Sequence, residues 1–205
     1  NLITFVGKLN SAKGYDIFGD AIVKILNKYP FWRSLVIGDE PREKILIKHK
    51  NLKILGFKSH KSVLETFSST SIAVTCSRWE EPFGRTSLEA ASRGCAVIIS
   101  NRGGLPETIT NGIILRNLDS KTLFQAIENL IINKKKLKLL QKDSYDNFFL
   151  TDKYASNKID NYRSKLVNVI NISSLNDISL KKLKILHITN FNERHNGRLF
   201  YNTGR

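Results

Sequence analysis

Two periods organise the apolar positions of this chain. Short runs that are apolar almost throughout, at 2–7 (LITFVG), 33–39 (RSLVIGD), 52–57 (LKILGF), 72–77 (IAVTCS) and 95–100 (CAVIIS), read as buried strands, and 111–116 (NGIILR) as a sixth. Between them apolar residues recur three and four apart. That spacing predicts helices over 15–29, 42–50, 60–69, 84–93 and 120–133, the lysine-rich 133–142 continuing as helix, and a last one over 153–167. Strands with no polar face, separated by helices, imply an α/β fold: a parallel sheet of about six strands with helices on both faces. Residues 168–182 are polar and weakly patterned, as in a linker, and LKILHITNF (183–191) starts a further strand.

Ligands bind such sheets beyond the carboxyl ends of the strands. The loops after the first, fourth and fifth strands are therefore the places to search: GKLNSAKG (7–14), SRWEEPFG (77–84) and NRGGLPE (101–107). They hold the most distinctive residues of the chain.

Composition narrows the ligand. The 205 residues suffice for one sizeable core. A net charge of +15 invites a polyanion, yet lysine is plentiful everywhere, and the densest run, NKKKLKLLQK (133–142), reads as a solvated helix face. Nucleic acid is accordingly not the expected partner; a small phosphate-bearing ligand suits the charge as well. No apolar run approaches the roughly 20 residues a membrane span needs, and no signal peptide opens the chain. The chain starts at Asn1 within an apolar stretch and contains no methionine, so it reads as a piece of a longer frame. Cys76 and Cys95 lie in apolar surroundings without ligand spacing and are expected to be buried thiols in a reducing, cytoplasmic compartment. His49, His60, His187 and His195 are scattered and read as surface or packing residues.

In the first loop Lys8 and Lys13 stand between Gly7 and Gly14, at a strand end and a helix start. Two ammonium groups beside a helix N-terminus suit a diphosphate, although a plain strand–helix turn with surface lysines would look similar. In the second loop Pro82 and Gly84 set a tight turn, and Arg85 to Ser87 form a first helical turn with free N–H groups. Glu81 stays in the loop and Glu89 lies a turn further in. A carboxylate can accept from two vicinal hydroxyls at once, so this pair fits a sugar joined to a nucleotide. Helix capping by Glu80 or Glu81 is the simpler alternative, but capping needs one carboxylate and no Pro-Phe-Gly. Gly103, Gly104, Pro106 and Glu107 make a third ligand-facing loop.

The order FVGKLNSAKGYDIF, LVIGDE, ILGF, CSRWEEPFGRTSLEAASRGCAVIIS, GGLPETI resembles the C-terminal domain of the retaining glycosyltransferases of family 4, over residues 1–167. The resemblance implies the GT-B fold, whose halves are Rossmann-like, and a retaining transfer of sugar from a nucleotide diphosphate to a glycan, lipid or other hydroxyl acceptor. It implies that Lys8 and Lys13 hold the diphosphate, Glu81 a donor-sugar hydroxyl and Glu89 the ribose. Gly7 and the backbone of Phe83, Gly84, Arg85 and Thr86 would support sugar and phosphates, and the loop at Phe57 and Lys58 would meet the base. Arginine is usual in the family where Lys8 stands, so a bidentate fork is replaced by a point charge. No cofactor or metal is implied.

The implied N-terminal acceptor domain is missing here, so the fragment alone would bind donor and transfer little. Such transferases often build lipid-linked or surface glycans, which fits peripheral contact with the inner face of a membrane. LKILHITNF is similar to the first strand of the family's N-terminal domain, so 183–205 would be the truncated start of a second module. Two rivals remain: another GT-B enzyme such as a nucleotide-sugar epimerase, and a non-catalytic basic domain for an anionic polymer or membrane.

Overall fold

The structure, a computed structural model, describes residues 1–172. Six strands form one sheet: β1 (Leu2–Val6), β2 (Arg33–Ile37), β3 (Leu52–Ile54), β4 (Ile72–Thr75), β5 (Ala96–Ser100) and β6 (Ile113–Leu115). The sheet order is β3-β2-β1-β4-β5-β6, and every pairing is parallel. The helices are α1 (Tyr15–Lys28), α2 (His60–Ser68), α3 (Arg85–Ser92), α4 (Ser120–Ile132), α5 (Lys134–Asp146) and α6 (Asp152–Ile172). Short 3-10 turns cover Ser11–Lys13 and Leu105–Thr108.

Alternation along the strands sorts the core into two layers. Ile3, Phe5, Ile72, Val74, Ala96 and Ile98 pack with Phe18, Ile22 and Ile25 of α1 and Leu123, Ile127 and Leu130 of α4. Ala73, Val97 and Ile99 point the other way, toward Val63 and Phe67 of α2 and Ala90 and Ala91 of α3. Register brings Ile3 beside Ile72 and Phe5 beside Val74, so large side chains stack across the central strands. Helix starts are set locally. Ser59, Asp119 and Asn133 cap α2, α4 and α5 by accepting the backbone N–H of Ser62, Thr122 and Lys136.

One predicted element is absent. Residues 42–50, expected as a helix, form no helix, and from 44 to 50 exposed Lys44, Leu46, Lys48 and Lys50 alternate with partly covered Ile45, Ile47 and His49. The period is two, not 3.6. Ile47 reaches into the space left by Gly19 on α1, where an added Cβ would lie 2.3 Å from the Ile47 Cδ1. At the start of the segment Arg42 pairs with Glu40 at 2.7 Å and Glu43 accepts the Ser11 N–H. These tertiary contacts outweigh a weak helical preference.

Chain contacts divide the molecule into Asn1–Ser156 and Asn157–Arg205. The last helix reaches Ile172, so the first five residues of the predicted linker are helical. The rest of 168–182, and the strand expected in 183–205, lie outside the described residues. Among the described residues no helix is long and apolar enough to cross a membrane.

Candidate functional site at the carboxyl edge

β1 pairs with β2 on one side and β4 on the other, so the chain reverses its direction of sheet growth there. Such a switch point is where parallel sheets usually bind ligands, and the loops leaving β1 and β4 lie side by side there. Hydrogen bonds lock them into one unit. Arg78 N–H and Trp79 N–H both donate to the Ala12 carbonyl, at 2.9 and 3.1 Å. The Arg78 guanidinium donates to the Ser11 carbonyl at 2.5 Å and to both carboxylate oxygens of Asp16 at 2.6 and 2.7 Å. That bidentate bond holds the Asp16 carboxyl below its ordinary range, against the opposing effect of partial burial. Gly14, at φ 72°, is required where the loops touch: a Cβ there would lie 1.9 Å from the Cys76 carbonyl oxygen.

Across this seam the Lys13 ammonium pairs with the Glu81 carboxylate, so residues 68 apart in sequence meet where the two loops join. Lys8, in the same loop as Lys13, is exposed and has no ion pair among the described residues. The N–H of Gly7 is engaged by the Ile37 carbonyl at 3.0 Å, so it is not a free donor. The loop after β2 backs this region: Asn10 donates to Glu40 at 3.2 Å, and Arg42 hydrogen bonds hold the Glu40 carboxyl down to about 2.

The third loop presses against the second. Gly104 N–H donates to the Glu81 carbonyl at 2.7 Å, and Gly103 N–H to the Glu80 carboxylate at 2.5 Å. Glu80 also accepts from Arg102 at 3.1 Å. Neither Glu80 nor Glu81 caps α3, which starts at Gly84 without any side-chain cap. The first-turn amides of Arg85, Thr86 and Ser87 thus have no side-chain cap. Ser87 joins Thr108 at 2.6 Å and fixes α3 against the third loop.

Glu89 is mostly covered, its side chain 17% exposed, and is held by two neighbours. His60 Nε2 lies 3.0 Å and the Arg85 guanidinium 3.4 Å from its Oε1. Phe57 and Lys58 occupy the loop between β3 and α2 and are exposed, as are Trp79 and Phe83. The structure therefore joins Lys13 to Glu81 and Glu89 to Arg85 and His60, and leaves Lys8, Phe57 and Lys58 without such contacts.

Sequence reasoning missed the Arg78–Asp16 clamp, read Glu80 only as a possible helix cap, and read His60 as a surface or packing residue. Only His60 had a usable signal: it opens the helix after β3, which topology places at the carboxyl edge. Cys76 and Cys95 are buried and free, with burial pushing both thiols up to about 12.

A six-stranded parallel sheet in this order, with its working loops at the carboxyl edge, has the fold of the C-terminal domains of GT-B glycosyltransferases. The chain belongs to the glycosyl transferases group 1 family, whose model matches residues 1–146. The crystal structure of the C-terminal domain of LpcC, a glycosyl transferase group 1 family protein from Francisella tularensis, is similar at TM-score 0.64. It shares 28% identity, over 71% of this chain and 82% of that one. The fold also matches Anabaena HepE, solved in complex with UDP-glucose, at TM-score 0.67, 20% identity, and 80% and 48% coverage. Among curated proteins, spore coat protein SA of Bacillus subtilis is 29% identical over 70% of this chain and 42% of its own length. The lipopolysaccharide core biosynthesis mannosyltransferase LpsB of Rhizobium meliloti is 28% identical over 52% of this chain and 33% of its own length. The chain thus spans less than half the length of these curated relatives.

Proposed function

We propose that this chain is the donor-binding half of a retaining family 4 glycosyltransferase that moves a hexosyl group from a nucleotide diphosphate sugar to a hydroxyl acceptor. The observation that carries this reading is the meeting of Lys13 and Glu81 across the β1 and β4 loops, beside the uncapped start of α3. A cation and a carboxylate held side by side, next to open helix amides, match a phosphate joined to a hydroxyl-bearing ring. Neighbouring Lys8 adds a second cation.

In this reading the bond between the anomeric carbon and the diphosphate oxygen breaks first in the transition state. Positive charge develops on the sugar and negative charge on the departing diphosphate. Lys8, Lys13 and the amides around Phe83, Gly84, Arg85 and Thr86 stabilise the second, as preorganised donors. The acceptor oxygen attacks from the face the diphosphate leaves, and its proton passes to a phosphate oxygen, so configuration is retained. The lysines and helix start meet the leaving-group charge, so the step needs no metal. Glu81 orients a sugar hydroxyl, Glu89 the ribose, and Phe57 with Lys58 the base. The acceptor, a glycan or lipid-linked hydroxyl, is bound by residues outside these 205, and the isolated chain binds donor with little transfer.

Isothermal titration with a panel of nucleotide sugars tests the site. The expected result is measurable binding that Glu89→Ala weakens by about tenfold or more. Equal binding by both proteins overturns the assignment.

A further inference from the structure

Glu89 is the carboxylate assigned above to the ribose, and what holds it comes from two helices. Among the described residues both of its hydrogen bonds end on one oxygen: His60 Nε2 lies 3.0 Å and the Arg85 guanidinium 3.4 Å from Oε1. Oε2 accepts none among those residues. A carboxylate only accepts, so His60 Nε2 is the donor. Arg85 stands four residues earlier on the same helix, its side chain is exposed, and its bond is longer than an ordinary N–H···O bond. His60 is the closer partner, and it belongs to another element.

The position of His60 is built into the packing. It is the first residue of α2, whose start is capped by Ser59 through the Ser62 N–H. Near the other end, the Cys95 thiol donates to the Phe67 carbonyl at 3.2 Å. Between these ties Val63 and Phe67 are buried in one cluster with Ala90 and Ala91 of α3. That cluster sets the spacing of the two helices, and with it the reach from His60 to Glu89. A glutamate left to itself rotates about three side-chain bonds and loses that freedom when a ligand fixes it. A donor already on Oε1 selects one arrangement and leaves Oε2 for a ligand hydroxyl. His60 also follows Lys58 by two positions, so one loop would serve both the base and the ribose of a nucleoside.

We infer that His60 is a positioning residue of the donor site: it holds Glu89 through Oε1, so that Oε2 meets a ribose hydroxyl in a carboxylate already ordered. The inference rests on the nucleotide-sugar reading above. His60 acts through Glu89 and not on the nucleotide.

Isothermal titration of the whole chain tests this with whichever of UDP, ADP and GDP the wild type binds most tightly, and with its 2′,3′-dideoxy counterpart. His60→Ala should weaken the ribonucleotide by about fivefold, the cost of immobilising one side chain on binding, and leave the dideoxy nucleotide unchanged. His60→Gln, whose amide nitrogen can stand where Nε2 does, should restore most of the loss. In the Glu89→Ala background His60→Ala should have no further effect. A merely structural role would weaken both nucleotides alike in His60→Ala, and that result overturns the inference. If Glu89→Ala weakens only the ribonucleotide and His60→Ala weakens neither, the inference about His60 alone is overturned. If Glu89→Ala binds both nucleotides as the wild type does, the ribose reading fails and His60 loses its role with it.

Discussion

Gly103→Ala is the sharpest probe of how the third loop holds the site. Gly103 sits at φ 52°, and a Cβ there would lie 2.3 Å from the Glu81 carbonyl oxygen and 2.7 Å from the Glu81 nitrogen. The left-handed conformation alone costs an alanine about 1–2 kcal/mol, offset by about 0.4–1 kcal/mol from the stiffer unfolded chain. A net loss of about 1 kcal/mol is therefore expected before any clash. The clash adds to this, because backbone atoms of Glu81 must withdraw. Retreat disturbs the Gly104-to-Glu81 bond at 2.7 Å and the Gly103-to-Glu80 bond at 2.5 Å, each worth about 1 kcal/mol. The total is about 3 kcal/mol. Gly56→Ala is the matched control, since Gly56 has φ 68° and nothing within 4 Å of its would-be Cβ. At about 2–4 °C per kcal/mol for a domain of this size, Gly56→Ala should lower Tm by about 2–4 °C and Gly103→Ala by about 6–12 °C. Circular dichroism melts read both. The reasoning is refuted if the two variants melt together, because the Glu81 contact would then carry no energy.

Three further outcomes are expected. Glu40 is held down to about 2 against an ordinary value of 4.5, so its contribution to stability is complete above about pH 4.5 and disappears as pH falls toward 2. The Tm gap between wild type and Glu40→Gln should follow that window, and a gap constant from pH 6 to pH 2 would contradict it. Cys76 and Cys95, raised to about 12 by burial, should not react with Ellman's reagent at pH 8 until the chain is unfolded; rapid native labelling would count against that burial. Lys13→Ala should weaken a nucleoside diphosphate by about tenfold while leaving the monophosphate nearly unchanged, and equal losses for both would remove Lys13 from the diphosphate.

What the sequence revealed depended on how local the cause was. Runs such as IAVTCS and CAVIIS are apolar on both faces because both faces of β4 and β5 are covered, so burial wrote the strands directly into composition. The loops at 7–14, 77–84 and 101–107 were legible for a similar reason. Glycine and proline mark places where backbones approach closely, and Gly14 and Gly103 do so. Residues 42–50 were misread because their three consecutive apolar residues, Ile45, Leu46 and Ile47, fit either period. Contacts supplied by other elements, the space over Gly19 and the Glu43–Ser11 bond among them, decide between them.

The same distinction explains the site. Lys13, Glu81 and Glu89 announce themselves through motif chemistry, but what holds them is long-range: Arg78 to Asp16 over 62 residues, His60 to Glu89 over 29, Gly103 to Glu80 over 23. Each partner is an ordinary polar residue until the sheet order is known. With β1 next to β4, and β4 next to β5, the loops leaving those strands must share one edge. The contacts among them then follow from adjacency. The candidate site satisfies part of its own charge, since Glu81 pairs with Lys13 and both His60 and Arg85 lean on Glu89. A ligand that brings both a diphosphate and hydroxyls can replace the Lys13–Glu81 pair without leaving either sign unmatched. A bare phosphate releases Glu81 from Lys13 and offers it no donor in return, so free phosphate should compete poorly with a nucleotide sugar at this edge.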